Sequence, residues 1–218
     1  MSPTAIRYQN FREQSQRWPS EGRHILASYD DESVVVYQAY RPEIGRYAAD
    51  HQQFGGPWSF DRMSWIKPNF LWMMYRSGWG EKSGQEVVLA IRITRAGFDQ
   101  ILAQAVHSSF KPEVYQSHAD WKHQVSGSHV RLQWDPDHDP HGNKVQRRAI
   151  QLGLRGPVLR QYAREWCLGI EDISDYVGAQ HAHVQARRLD LLETPAERVY
   201  RVDDLEVKKR LGLAEWDE

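Results

Sequence analysis

Short β-branched and aromatic segments alternate with helical patterns along most of the chain, and this order constrains the fold more than any other feature. Ser33–Tyr40 (SVVVYQAY) and Val87–Ile93 (VVLAIRI) are typical of strands. Between them, Pro42 opens a segment whose apolar residues recur at helical spacing until Gly55. The full order is strand, helix, strand, helix, paired strands, helices. It predicts an α+β fold with a mostly antiparallel sheet and helices on one face or end.

The second half of the chain adds a predicted hairpin. Val130–Trp134 and Arg148–Leu154 read as strands, and the link between them is rich in Asp, Pro, His and Gly. Further helices are predicted after Asn69, after the N-cap residue Thr94, over Pro157 to Trp166, and over Asp172 to Leu192 with an interruption near Gly178.

Length and polarity suggest one domain with two polar ends. The chain has 218 residues, which suits a single large domain. We expect residues 1–20 to form a polar N-terminal arm, residues 21–200 a single α+β domain, and residues 201–218 a charged C-terminal tail.

Charge and cysteine content restrict the partners and the compartment. The formal net charge is −1, so any nucleic-acid contact would need a local basic patch. Cys167 is the one cysteine, which excludes an internal disulfide and a cysteine zinc site. The N-terminus lacks the apolar region of a signal peptide, and no apolar run is long enough for a membrane helix. We therefore expect a cytoplasmic protein without a membrane partner.

Aromatic and cationic residues concentrate between positions 58 and 79. The chain has nine Trp, and four of them fall in this segment together with Arg62, Lys67 and Arg76. Arg and Lys suit phosphate, and aromatic rings stack on bases. The segment predicts a site for an anionic, ring-bearing nucleotide ligand. The ordinary alternative is a core helix whose cations reach to water.

Five stretches together resemble a known family. VYQAY, RMSWIKPNFLWMMYRSGWG, QEVVLAIRI, VRLQWDP and RAIQLGL, in this order, are similar to the domain-of-unknown-function family 4291 over about residues 20–200. The resemblance implies a bacterial or fungal intracellular protein. The order of strands, helix and aromatic segment also resembles, in outline, the ADP-ribosyltransferase fold.

The second resemblance implies a nucleotide-dependent transferase that uses NAD, possibly with a nucleic-acid acceptor. Glu86, at the entrance to a strand, would stabilise the ribosyl cation as carboxylates do in glycosidic cleavage. Gln38 would orient a ribose hydroxyl. The rings expected to clamp the cofactor are Tyr37, Tyr40, Trp72 and Tyr75. A solvated carboxylate at the start of a strand is the ordinary reading of Glu86.

Polar residues inside the predicted hairpin indicate a substrate surface. Arg131 and Arg148 lie within apparent strands, where an unpaired buried charge is costly. Together with Gln133 and Gln151 they could line a polar cleft, and we assign Arg131, Arg148 and Trp79 to substrate binding. Salt bridges are the alternative, including one between Asp135 and Arg148.

The link from Asp135 to His141 contains carboxylates and imidazoles but matches no specific metal motif, so we expect no metal. Two other functions remain open. One is a non-catalytic module that binds single-stranded RNA or DNA. The other is an RNA-processing phosphotransferase or nuclease in which Arg131, Arg148 and a histidine carry out acid–base chemistry.

Overall fold

The structure is a computed structural model that describes residues 6–216. Its strands are β1 (Tyr8–Asn10), β2 (Gly22–Arg23), β3 (Leu26–Ala27), β4 (Ser33–Tyr40), β5 (Ser64–Ile66), β6 (Val87–Thr94), β7 (Ala105–His107), β8 (Val130–His138), β9 (Lys144–Leu154), β10 (Cys167–Asp172), β11 (Glu193–Pro195) and β12 (Arg198–Val199). Its helices are α1 (Phe11–Ser15), α2 (Pro42–His51), α3 (Phe70–Ser77), α4 (Arg95–Ala103), α5 (His118–Gly127), α6 (Gly156–Gln161), α7 (Ser174–Gln185) and α8 (Leu205–Leu211), and a π-helical turn (Tyr162–Trp166) follows α6. The predicted α+β class is confirmed.

Two sheets form the centre of the molecule. The first has the antiparallel order β10-β6-β4. The second has the order β2-β9-β8-β7, and the short strand β5 forms an additional antiparallel pair with β9. The β8–β9 hairpin is antiparallel, whereas β2 and β7 run parallel to their neighbours.

One residue pair joins the two sheets where β4 meets the end of β5. The Tyr37 amide donates to the Lys67 carbonyl at 2.7 Å, and the Lys67 amide donates to the Tyr37 carbonyl at 3.2 Å. Directly paired residues of antiparallel strands project to the same face. The side chain of Lys67 therefore shares a face with that of Tyr37.

Two apolar clusters cover the two faces of the three-stranded sheet. Alternate residues of β4 separate accordingly, because successive side chains of a strand point to opposite faces. Val34 and Val36 join the larger cluster, which contains apolar residues of α2 and α4. Val35 and Tyr37 join the second cluster, to which α3 and α7 contribute. Helices thus lie on both faces of this sheet.

Most predicted elements are found, with extensions. β4 has the predicted bounds, and Thr94 caps α4 by accepting from the Gly97 amide at 3.1 Å. Asn69 caps α3 in the same way at Trp72, and Gly78 ends that helix in the left-handed region at φ 57°. Each hairpin strand is four residues longer than the sequence indicated. Gly178 does not interrupt α7, so that prediction was wrong.

The N-terminal segment departs from the predicted polar arm. Within the described part, β1 pairs with β11, and Gln14 is buried against Thr194 with a hydrogen bond of 2.7 Å. Trp18 is also buried, and its indole donates to the Glu197 carbonyl. The predicted charged tail likewise contains α8, whose Val207 and Leu211 enter the larger apolar cluster. Residues 1–5 and 217–218 of the two predicted ends lie outside the described residues.

Within residues 6–216, no helix combines the length and the apolar character that crossing a bilayer would require.

Candidate functional site

Lys67 occupies a buried position at the junction of the two sheets. Strand alternation along β5 sends Ser64 and Ile66 to one face and Trp65 and Lys67 to the other. Ile66 belongs to the larger core cluster, and Ser64 contacts Gln38 on that side. Lys67 is 7% exposed. Its aliphatic stem is thus enclosed on the face opposite the larger core.

The β8–β9 hairpin presents polar residues on this same face. Its register places Arg131 opposite Gly153, and Gln133 opposite Gln151. The intervening residues of both strands are apolar and belong to the larger core cluster. Ile66 pairs with Leu152 of β9, which puts Lys67 next to Gln151. We call this surface the lysine face; it consists of Trp65, Lys67, Arg76, Arg131, Gln133, Asp135 and Gln151.

Two amide hydrogen bonds orient Asp135 on the lysine face. Gln133 Nε2 donates to Oδ1 at 2.9 Å, and Gln151 Nε2 donates to Oδ2 at 2.7 Å. Each carboxylate oxygen therefore receives one neutral amide hydrogen bond. The carboxylate is oriented without being neutralised by a salt bridge to a residue in the range 6–216. It remains available to a cationic group.

Burial, together with the nearby Arg76 guanidinium, lowers the pKa of the Lys67 ammonium from 10.5 to about 8, although Asp135 opposes the shift. Lys67 does not take part in a side-chain hydrogen bond or ion pair with any residue of the described chain. A desolvated cation next to a second cation is poised to bind an anion. Arg76 itself is exposed on α3 and approachable from solvent.

Glycine at position 153 allows two side chains to cover the hairpin beside this site. A Cβ at Gly153 would lie 2.6 Å from Met63 Sδ and 3.1 Å from Trp65 Cε2. The Trp65 side chain therefore packs against the backbone of Gly153, the residue that also pairs with Arg131. This arrangement places a partly exposed ring at the far end of the polar row.

Three rings stack next to the lysine face. Tyr75 lies on His138 with centroids 3.5 Å apart and planes at 11°, and Trp72 is parallel to both. Tyr75 is 44% exposed, whereas Trp72 and His138 are buried. Neither ring nitrogen of His138, nor Nε1 of Trp72, has a hydrogen-bond partner among the described residues. Burial lowers the pKa of His138, which favours the neutral ring.

The structure brings together some of the predicted site residues. Lys67, Arg76 and Arg131 share the lysine face, and Trp72 and Tyr75 lie beside it on α3. Tyr37 is fully buried on the same face beneath Phe70, and its hydroxyl has no partner in the described chain. Its burial raises the pKa of that hydroxyl. Tyr37 is therefore a support for Lys67 and cannot reach a ligand.

Gln38 and Tyr40 lie on the opposite face, in a closed hydrogen-bond network. The Gln38 amide donates to Tyr40 Oη and Ser64 Oγ, both at 2.9 Å, and its oxygen accepts from Tyr162 at 2.8 Å. The Trp58 indole also donates to Tyr40. These groups satisfy one another and join the sheets. Arg62 is exposed on this side, close enough to Tyr40 to lower the pKa of its hydroxyl, although burial raises that pKa more.

Glu86 lies apart from Gln38. It is exposed, accepts from the Gly84 amide at 2.9 Å, and shares a shallow depression with Trp79 and His181. The Trp79 ring stacks on His181 at 5.3 Å. Glu86 and Val88 alternate onto the face of the smaller core cluster, while Gln38 faces the larger one. The two residues predicted to be catalytic therefore do not meet.

Arg148 and its neighbour Arg147 have opposite environments. Arg148 is exposed and alternates away from the lysine face, so it does not join Arg131. The predicted pair with Asp135 is not found. Arg147 is buried: Nε and Nη2 donate to Asp137 Oδ2 at 2.8 and 2.7 Å, and Nη1 donates to the Pro19 carbonyl at 2.6 Å. This pair was not predicted, although strand alternation from Gln151 places Arg147 on the inward side of β9.

The Asp and His side chains of the hairpin link diverge. Asp137 is held by Arg147, and His138 lies in the ring stack. Asp139 closes the turn by accepting from the amides of His141 and Asn143 at 2.9 Å. Across residues 6–216, no group of three or more His, Cys, Asp or Glu side chains is arranged to hold a metal ion.

A protein-family model covers most of the chain. The family model described as "Domain of unknown function (DUF4291)" matches residues 24–200, which is most of the chain. No curated protein matches the chain.

Proposed function

The chain belongs to the DUF4291 family, and we propose that it is a nucleotide-dependent transferase of the ADP-ribosyltransferase type that binds NAD at the lysine face. Lys67 and Arg76 bind the pyrophosphate. Asp135 lies next to the ribose carbon at which transfer occurs. Tyr75 supplies a ring on which a base can stack.

The observation that carries this proposal is the burial of Lys67, which is 7% exposed and has no side-chain partner among the described residues. Holding its pKa near 8 rather than 10.5 means that burial and Arg76 disfavour the charged ammonium by about 3 kcal/mol. A structural lysine would gain nothing from this arrangement. A pyrophosphate between Lys67 and Arg76 would offset the penalty, and charge-assisted hydrogen bonds to its oxygens are the strong ones.

Asp135 is a better candidate than Glu86 for the carboxylate of the reaction. In ADP-ribosyl transfer the bond between ribose and nicotinamide breaks, and its electron pair goes to the nicotinamide nitrogen. The positive charge that develops on the ribose needs a fixed carboxylate. Gln133 and Gln151 orient Asp135 beside the two cations. The acceptor then forms the new bond at the ribose carbon and loses its proton.

The acceptor in this proposal is a nucleic acid. Arg131 and Trp65 continue the lysine face beyond Gln133, and the extended strand from Arg131 to Asp135 spans about 13 Å. A cation and a partly exposed ring at that distance suit a single-stranded RNA or DNA segment.

A non-catalytic single-strand binding module is the second candidate. The exposed ring of Tyr75, supported from below by His138 and Trp72, favours it. In this case the same residues bind nucleic acid, and Asp135 has no chemical role.

The deciding experiment is nicotinamide release from NAD, followed by mass spectrometry with and without RNA or single-stranded DNA. The proposal predicts release that depends on the polymer, together with a mass gain on the polymer. Salt-sensitive binding of the polymer without release would instead establish the binding module.

We also propose a cytoplasmic location. Cys167 is a free thiol, and burial raises its pKa to about 11, which keeps it unreactive. Fractionation of cells that express the chain would test the location.

A further inference from the structure

A cavity of about 810 Å³ lies among the N-terminal segment, the turn before β4 and β12, and no residue of the lysine face lines it. We call it the arginine cavity. Its cationic lining residues are Arg7, Arg17, Arg92 and Arg198, and its aromatic ones are Trp18, Tyr29 and Trp216. Its volume is within the range of small-molecule sites.

Each of the three carboxylates that line the arginine cavity lies near a group other than Arg7, Arg17 or Arg198. Asp30 lies 3.7 Å from Arg92 and accepts from Ser33. Asp31 is 3.9 Å from Arg95, which lies outside the cavity lining. Glu197 is buried and accepts from the Phe70 amide at 2.6 Å, and burial raises its pKa well above its ordinary value. Within residues 6–216, none of these three carboxylates forms a salt bridge with Arg7, Arg17 or Arg198.

Arg198 has the geometry of a phosphate receptor. Its guanidinium lies over the Tyr29 ring, 4.3 Å from the centroid. Tyr29 is itself fixed, because its hydroxyl donates to the Val199 carbonyl at 2.9 Å. Stacking holds the guanidinium plane but leaves its N–H edges free for bidentate contacts with phosphate. Arg17 also lines the cavity, and its Nη2 donates to Gln9 Oε1 at 3.0 Å.

The rings give the arginine cavity a second chemical character. Trp18 is 7% exposed, lies on Arg147 and lines the cavity floor, while Trp216 is partly exposed at the rim. A base or another flat ring can contact these indoles while its phosphate reaches the arginines. Inorganic phosphate alone would contact the arginines and leave the indole rings unused.

We propose that the arginine cavity binds a phosphomonoester next to a nucleobase, as found in a nucleotide or at the phosphorylated end of a nucleic-acid strand. Arg17 and Arg198 bind the phosphate, and Trp18 contacts the base. This inference goes beyond the proposed transferase and does not depend on it, because no residue of the lysine face lines the cavity.

The test is made in the Lys67→Met variant, so that binding at the lysine face does not contribute. AMP, a 5′-phosphorylated tetranucleotide, its unphosphorylated form and inorganic phosphate are titrated calorimetrically. The variants are Arg17→Met and Arg198→Met, and Arg201→Met is the matched control, since Arg201 is exposed and outside the cavity lining. Thermal melts confirm that every variant is folded.

The proposal predicts saturable binding of AMP or the phosphorylated tetranucleotide, weakened about tenfold or more by Arg17→Met and by Arg198→Met and unchanged in the control. The tighter of the two ligands identifies the source of the phosphate. Equal affinity in all variants, no saturable binding of any probe, or phosphate binding as tightly as AMP would each overturn the assignment.

Discussion

Tyr37 and Lys67 exchange two backbone hydrogen bonds, of 2.7 and 3.2 Å, at the point where the two sheets meet. The pair fixes the backbone of Lys67 between β4 and the start of α3. The side chain therefore occupies a buried position, even though burying its charge is unfavourable. A sheet junction of this kind needs no lysine, so the residue type points to function.

Replacing Lys67 by Met should stabilise the protein by about 1–3 kcal/mol at pH 7, because it removes a buried charge of lowered pKa. The unfolded state binds more protons than the folded state between about pH 8 and pH 10.5. The wild-type penalty is therefore complete below pH 8 and fades as the pH rises through this window. Urea unfolding at pH 7 and pH 10 should show the advantage of Lys67→Met shrinking by about 2 kcal/mol. A variant less stable than wild type at pH 7 would contradict this account.

Affinity for NAD should depend on pH through the same group. Pyrophosphate prefers the protonated ammonium, so affinity should be flat below about pH 8 and decrease above it, by up to about tenfold per unit. Lys67→Arg should abolish the decrease, because arginine stays protonated. Calorimetric titrations between pH 7 and pH 9.5 measure both slopes. Identical slopes in the two proteins would exclude Lys67 as the titrating group.

Asp135→Asn should separate binding from chemistry. Loss of a negative charge beside the phosphates should leave NAD affinity unchanged or higher. Nicotinamide release should fall by about 100-fold or more, because the ribosyl cation loses its carboxylate. Glu86→Gln is the matched control and should retain full release, since Glu86 is exposed elsewhere. The reverse pattern would return the catalytic role to Glu86.

Arg147 and Arg148 should differ strongly in their effect on stability. Arg147→Met leaves Asp137 buried without its partner and should cost about 3–5 kcal/mol. Arg148→Met alters an exposed side chain and should change the free energy of unfolding by less than about 0.5 kcal/mol. Chemical denaturation of the two variants makes the comparison. Equal losses would mean that the Arg147–Asp137 pair contributes little.

Much of the fold could be predicted from local patterns. The β-branched run of β4, the Thr94 and Asn69 caps and the Gly78 stop each act over a few residues, and all are found. The packing of the N-terminal segment could not be predicted, because it depends on β11, far away in the chain. The polar sequence of this segment gives no sign that Gln14 and Trp18 are buried, because their burial depends on contacts with residues near position 195.

Part of the candidate site could also be predicted, because strand alternation is a local pattern. Alternation along VRLQWD places Arg131, Gln133 and Asp135 on one face, and the polar cleft follows from it. Closeness in sequence led to wrong groupings within strands, because neighbouring residues of a strand point to opposite faces. Gln38 and Tyr37 are neighbours in sequence but face opposite sides of the sheet, and only the pairing of strands decides which side holds Lys67.

The most direct test of the central claim is a calorimetric titration of NAD into the wild type, Lys67→Met and Lys82→Met. Lys82 is exposed and serves as the charge-matched control. We expect saturable binding that Lys67→Met weakens about tenfold or more and Lys82→Met leaves unchanged. Equal dissociation constants in the two variants, or no binding by the folded wild type, would contradict the assignment of the lysine face as the nucleotide site.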